Sequence, residues 1–157
     1  MPNGYRGQDR PRRGDDRRDG PTHMRLDTSG IDLRPGEKGA LGPELFDTTA
    51  HAAAKAVAGD ERNQANKPSQ IRQFYDELVM WEEKARQNPD RFEEFLPFIR
   101  MLNAKAAYAA GRRHVDSNFV DLIGHCVRQV ESYETLRNFK LFFEAFLGFY
   151  KLERPSG

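Results

Sequence analysis

The sequence holds one cysteine, Cys126, so no intrachain disulfide can form. No apolar run approaches the roughly 18 residues that a membrane-spanning helix needs. The basic N-terminus is followed by no apolar segment of the kind found in secretory signals, so the chain reads as cytosolic. Glycine-rich phosphate loops of either usual kind are missing. So is the alternation of β-branched and polar residues that marks strands. An excess of positive charge is also lacking: the formal net charge is +1. A nucleic-acid binder that relied on bulk charge would be more basic. Any such role must come from local patches, or from a surface shared within a larger assembly.

Catalytic constellations are equally scarce. His23, His51, His114 and His125 share no metal-ligand spacing with one another or with Cys126. The Glu-x-x-His pattern of di-metal helical bundles does not occur. Carboxylates one turn apart, such as Asp76 or Glu77 with Glu82 or Glu83, are ordinary on solvated helix faces. Cys126 falls at an apolar helical position, which fits a small core residue better than a nucleophile. His125 reads as a surface residue or one that supports its neighbours rather than a general base, and His114, beside Arg112 and Arg113, is the one histidine placed near a ligand. We therefore expect no catalytic residues, no metal and no cofactor, and a metal-dependent nuclease or hydrolase is disfavoured.

What the chain does have is aromatic mass at helical spacing. With 11 Phe, 5 Tyr and 38% hydrophobic residues, it can bury the core of one domain. Residues 1–42 are different: Arg, Asp, Gly and Pro dominate, and large apolar side chains are few. Such a segment buries too little to offset its ordering entropy, so a disordered arm is expected. Its arginines suit RNA, but the interleaved aspartates favour a solvated tail. Residues 43–67 read as a short helix, 43–58, and a polar linker. Pro43 suits the first turn, Gly59 the end, and Leu45, Phe46, Ala53 and Val57 give a thin apolar stripe. That helix either docks or swings free.

Residues 68–157 read as a bundle of four principal helices, so the fold expected is all-α with a weaker leading helix. The first opens at Ser69 as N-cap and buries Ile71, Phe74, Tyr75, Leu78 and Trp81 or Glu82. Asn88-Pro89 stops it and starts the second. The third is capped by Asp116, Ser117 or Asn118, with Phe119, Leu122, Ile123, Cys126, Val127 and Val130 inward. The fourth is capped by Ser132 and turns Leu136, Phe139, Phe142, Phe143, Phe146, Leu147 and Tyr150 to the core.

The second of these helices, within residues 89–113, organises the rest. One face carries Phe92, Phe95, Leu96, Ile99, Leu102, Ala106, Ala109 and Ala110, an apolar stripe at spacing three and four. Pro97 predicts a kink or break near Phe95 and Leu96, and Gly111 is either a helix end or an interior glycine. The opposite face carries Met101, Lys105, Tyr108 and Arg112, with alanines around them. Cations and a ring on a low surface suit a phosphate backbone. The competing reading packs Tyr108 against a neighbouring helix, with Lys105 and Arg112 snorkelling around it. Both remain open on the residues alone. Arg113 and Arg100 are secondary candidates. Lys140 and Arg137 lie off the aromatic stripe of the last helix. Arg72 opposes its own helix dipole, which hints at another purpose.

Three ordered blocks, SQIRQFYDEL, LPFIRMLNAKAAYAAGRR and FKLFFEAFLGFYK, resemble the small helical subunit of type III-A CRISPR effector complexes, the Csm complexes. The resemblance runs from Ser69 to Lys151 and leaves residues 1–67 outside it. It implies a non-catalytic subunit that stacks as a filament beside the backbone subunits holding the guide RNA. In that family RNA cutting belongs to the backbone subunit, and DNA cutting and cyclic oligoadenylate synthesis to the large subunit. The partners implied are guide and target RNA, the other Csm subunits and further copies of the chain. The family's basic motif falls on Lys105, Tyr108, Arg112 and Arg113, with contacts to phosphate and sugar, since sequence is read by base pairing. The alternative is a helical protein–protein adaptor without nucleic-acid contact.

Overall fold

The computed structural model describes residues 24–155. They form five α-helices and no strand: α1 (Ala50–Ala58), α2 (Pro68–Gln87), α3 (Phe92–Gly111), α4 (Ser117–Arg128) and α5 (Tyr133–Glu153). Helix α5 is the axis of the core. Its Leu136, Phe139, Phe142, Phe143 and Phe146 are fully buried. The Phe143 ring meets Phe119 of α4, Tyr75 of α2 and Phe146 of its own helix. Helices α1 and α2 pack on α5, while α3 packs on α4 and α2. Gly124 lets α3 and α4 approach, because a Cβ there would stand 3.1 Å from Asn103 Oδ1.

The caps follow the sequence in two places. Asp116 accepts from the Phe119 N–H at 3.1 Å, and Ser132 with Thr135 forms a capping box. Elsewhere the chain departs from expectation. Helix α2 begins at Pro68, with Lys67 before it and no side-chain cap, so Ser69 lies inside the first turn. Helix α3 runs unbroken through Pro97. Pro97 is the sixth residue of α3, so the helix forgoes the one backbone bond that its N–H would have made and continues without a break. Gly111 is the last helical residue, but the left-handed residue that closes α3 is Arg113, at φ 62°. The His114 N–H bonds back to Ala109 O at 2.9 Å, the long bond of a Schellman turn.

The regular part of the leading helix starts only at Ala50, after a π-type turn, Leu45–Thr49. It ends, as expected, at Gly59 with φ 66°. It is docked: Ala50, Ala53, Ala54, Ala56, Val57 and Ala58 are all buried. The small side chains bring α1 against α5. Residues 59–67 are mostly exposed but are anchored at Asn66. Asn66 is wholly buried at φ 58°, a conformation asparagine tolerates better than most residues. Its N–H donates to His114 O, its amide nitrogen to Val57 O, and its amide oxygen accepts from the Asp116 N–H. The Tyr150 hydroxyl donates to its carbonyl. One residue thereby joins α1, the α3–α4 turn and α5.

The N-terminal arm divides. The expectation for residues 1–23 lies outside the described residues. Residues 24–42 carry no helix, yet they do not behave as a wholly solvated tail, for Leu26, Ile31 and Leu33 are buried. Three apolar anchors are few, and backbone hydrogen bonds supply the rest. Asn118 accepts from the Leu26 N–H and donates to Met24 O. Gln129 accepts from the Leu33 N–H at 2.6 Å and donates to Ile31 O at 2.7 Å. His125 Nε2 also meets Ile31 O, at 2.6 Å, and Asn138 donates to Leu33 O. The strap is held by a row of polar side chains on α4 and α5. Of the two readings of His125, the supporting one holds.

Candidate nucleic-acid interface

Positions 98, 101, 105, 108 and 112 advance by three, four, three and four, so α3 presents them on one flank. The opposite flank is dry: Phe92, Phe95, Ile99, Leu102, Ala106 and Ala109 are buried. The wet flank is wet at its large side chains. Tyr108 is 67% exposed, Phe98 54% and Met101 51%. Tyr108 does not pack into a neighbouring helix.

The C-terminal half of this flank forms one wall of a groove of about 220 Å³. Lys105, Tyr108, Ala109 and Arg112 face Gln70, Gln73, Phe74 and Glu77 of α2, with His114 at the end. The Arg112 guanidinium stands 5.8 Å from the Tyr108 ring centroid, and its Nη1 donates to the Tyr108 hydroxyl at 3.3 Å. Cation and ring therefore act as a unit. Lys105 is engaged differently: its Nζ lies 2.5 Å from Glu77 Oε1, across the groove. The Lys105 side chain is 47% exposed, so the pair is partly solvated and worth little to stability. It matters more as a local neutraliser. The groove holds two cations and one carboxylate, with polar amides and an exposed ring, a lining that suits an extended anionic chain.

Arg113 is exposed in the turn just past α3. The other candidates lie away from this groove. Arg100 donates to Val130 O at 3.2 Å and so braces the end of α4. Lys140 is 3.9 Å from Glu144, which accepts the Tyr75 hydroxyl at 2.7 Å. Burial and that carboxylate push the Tyr75 hydroxyl up to about 12. Arg137 is exposed one turn from Tyr133. Arg72 stands 4.0 Å from Asp76 and lines a second groove, with α5. Sequence reasoning missed Gln70, Gln73 and Glu77, which belong to another helix and carry no local signal. It also missed Phe98, whose spacing to Met101 was the available clue.

Against families of known proteins, the chain matches the Csm2 Type III-A family over residues 43–156. The chain belongs to that family. It is a small Csm subunit of the type III-A CRISPR complex and associates with other subunits of that complex. The match begins at residue 43, so α1 and the segment after it fall within the family region, which the three sequence blocks alone had left out. Neither a curated protein nor a solved structure matches the chain. Among the described residues, no group of three or more His, Cys, Asp and Glu is placed to hold a metal, and no helix is long and apolar enough to cross a membrane.

Proposed function

We propose that this Csm subunit is a non-catalytic, RNA-contacting element that stacks in a filament and touches the backbone of the guide or target strand through the α2–α3 groove. The observation that carries the reading is the exposed Tyr108 ring with the Arg112 guanidinium on it, beside Lys105, on a flank whose reverse side is core. A ring and cations at one-turn intervals serve any nucleotide, as a subunit blind to sequence requires. The low net charge fits, because each copy meets few phosphates and copies add along a filament.

A second observation favours a protein contact on the same flank. Phe98 and Met101, at the N-terminal half of α3, are uncharged and exposed, and Phe98 stacks on Trp81 of α2 at 5.9 Å. This half suits a neighbouring protein subunit, and so retains part of the adaptor reading. The test is Lys105→Ala with Arg112→Ala, followed by RNA binding across a salt series. Loss of two phosphate contacts flattens the log–log slope by roughly 1.4 for a single strand, with the melting temperature unchanged. An unchanged slope and affinity would defeat the proposal.

A further inference from the structure

The second groove lies on the other flank of α2, between its first turns and the last turn of α5. Pro68, Ser69 and Arg72 form one wall, and Leu147, Tyr150, Lys151 and Arg154 the other, around about 380 Å³. Three cations line it and no carboxylate does. Nearby acids are weakly placed or engaged elsewhere. Glu153 bonds His51 at 2.8 Å, on the α1 side, and Asp76 reaches Arg72 only at 4.0 Å with both side chains exposed. The Arg154 guanidinium is fixed, donating to Asn63 O, at 3.1 Å, and to Ala65 O. Arg72 and Lys151 are exposed. Lys151 Nζ donates to Pro155 O at 3.2 Å, so the three cations are met mainly by neutral carbonyls and by one loose ion pair, and the cleft keeps a positive charge that an anion between its walls would relieve.

We infer that this groove is a second phosphate-binding site, and that its occupant is RNA strand continuing over α2 from the Tyr108 groove. The charge selects the ligand class: three cations, one of them a guanidinium held by the backbone, suit phosphate oxygens. The position selects the source. The two grooves flank one helix, about 10–12 Å across with its side chains, which a short stretch of strand can span. The inference rests on the reading that the first groove holds RNA.

The test uses the full chain and fluorescence anisotropy with a uridine tetranucleotide and a dodecanucleotide. Arg72→Gln with Lys151→Gln removes two cations that make no essential internal bond; Arg154 is left in place because it holds the backbone. We expect about tenfold weaker binding of the longer strand, a slope shallower by roughly 1.4, and no change for the tetranucleotide. Unaltered binding of the longer strand overturns the inference. So does binding of inorganic phosphate in this groove without any effect on RNA, or weakened assembly with other Csm subunits without one. Lys105→Ala with Arg112→Ala is run in parallel. If only that pair weakens binding, the second site fails and the first stands; if only the Arg72 and Lys151 pair does, the Tyr108 groove holds no RNA and the continuous path over α2 is overturned with it.

Discussion

Helices α3 and α5 are almost equal in length and both carry aromatic and large apolar residues, α5 more of them, yet they place their rings differently. Helix α5 places Phe139, Phe142, Phe143 and Phe146 entirely inside, where they meet α2 and α4. Helix α3 buries one flank and leaves Phe98, Met101 and Tyr108 more than half exposed on the other. Exposed large side chains grouped on one helix face are uncommon unless something covers them. The difference separates a helix that specifies the fold from a helix that the fold displays.

The sharpest way to break that contrast is to truncate one ring on each helix. Phe143→Ala should lose about 3–5 kcal/mol in chemical denaturation, since the ring is fully buried among four aromatic partners. Phe98→Ala should stay within about 0.5 kcal/mol of the parent. Equal losses would show that the exposed flank of α3 is structural after all.

Smaller effects are expected where the strap meets the bundle. Asn118→Ala and Gln129→Ala should each cost about 1–3 kcal/mol, because each leaves buried backbone groups of residues 24–33 without their partner. Amide exchange at Leu26 and Leu33 should accelerate in the same variants. Exchange that is already fast in the parent would count against an anchored strap.

The helices themselves were legible in the sequence because α4 and α5 repeat apolar residues every three or four positions and open on Asp116 and Ser132. The strap was not. Leu26, Ile31 and Leu33 are sparse among charges, and what holds them is the set of amides on α4, nearly a hundred residues away. The polar residues at 118, 125 and 129, on α4 and its C-terminal cap, were the only advance sign. Asn66 was hidden for the same reason: a polar residue in a polar stretch gives no hint that four bonds converge on it. At the candidate site, spacing gave the Lys105–Tyr108–Arg112 flank, but the Lys105 partner could not be read, because Glu77 arrives from α2 through tertiary packing.

Chemistry offers a gentler contrast between buried and displayed groups. Burial pushes the Cys126 thiol far above its usual range. In the unfolded chain the thiol ionises above about 8.5, so the unfolded state then binds fewer protons than the native one. Stability should therefore be full below about 8.5 and fall as pH rises beyond it. The native thiol should resist alkylation at pH 8 and react on unfolding. Fast alkylation of folded protein would contradict the burial.

The mildest expected effect concerns Glu77. Glu77→Gln keeps the shape but frees Lys105 from its ion pair, so RNA affinity should rise a few-fold and the salt slope steepen by roughly 0.7. Weaker binding would mean that Glu77 orders Lys105 for the strand rather than competing with it.

The central claim is that the displayed flank of α3 meets RNA. Ultraviolet crosslinking of the assembled type III-A complex on target RNA, with peptide mapping of this subunit, tests it most directly. The account predicts a nucleotide adduct on the peptide containing Tyr108. Adducts confined to other segments, with the Tyr108 peptide unmodified, would contradict it.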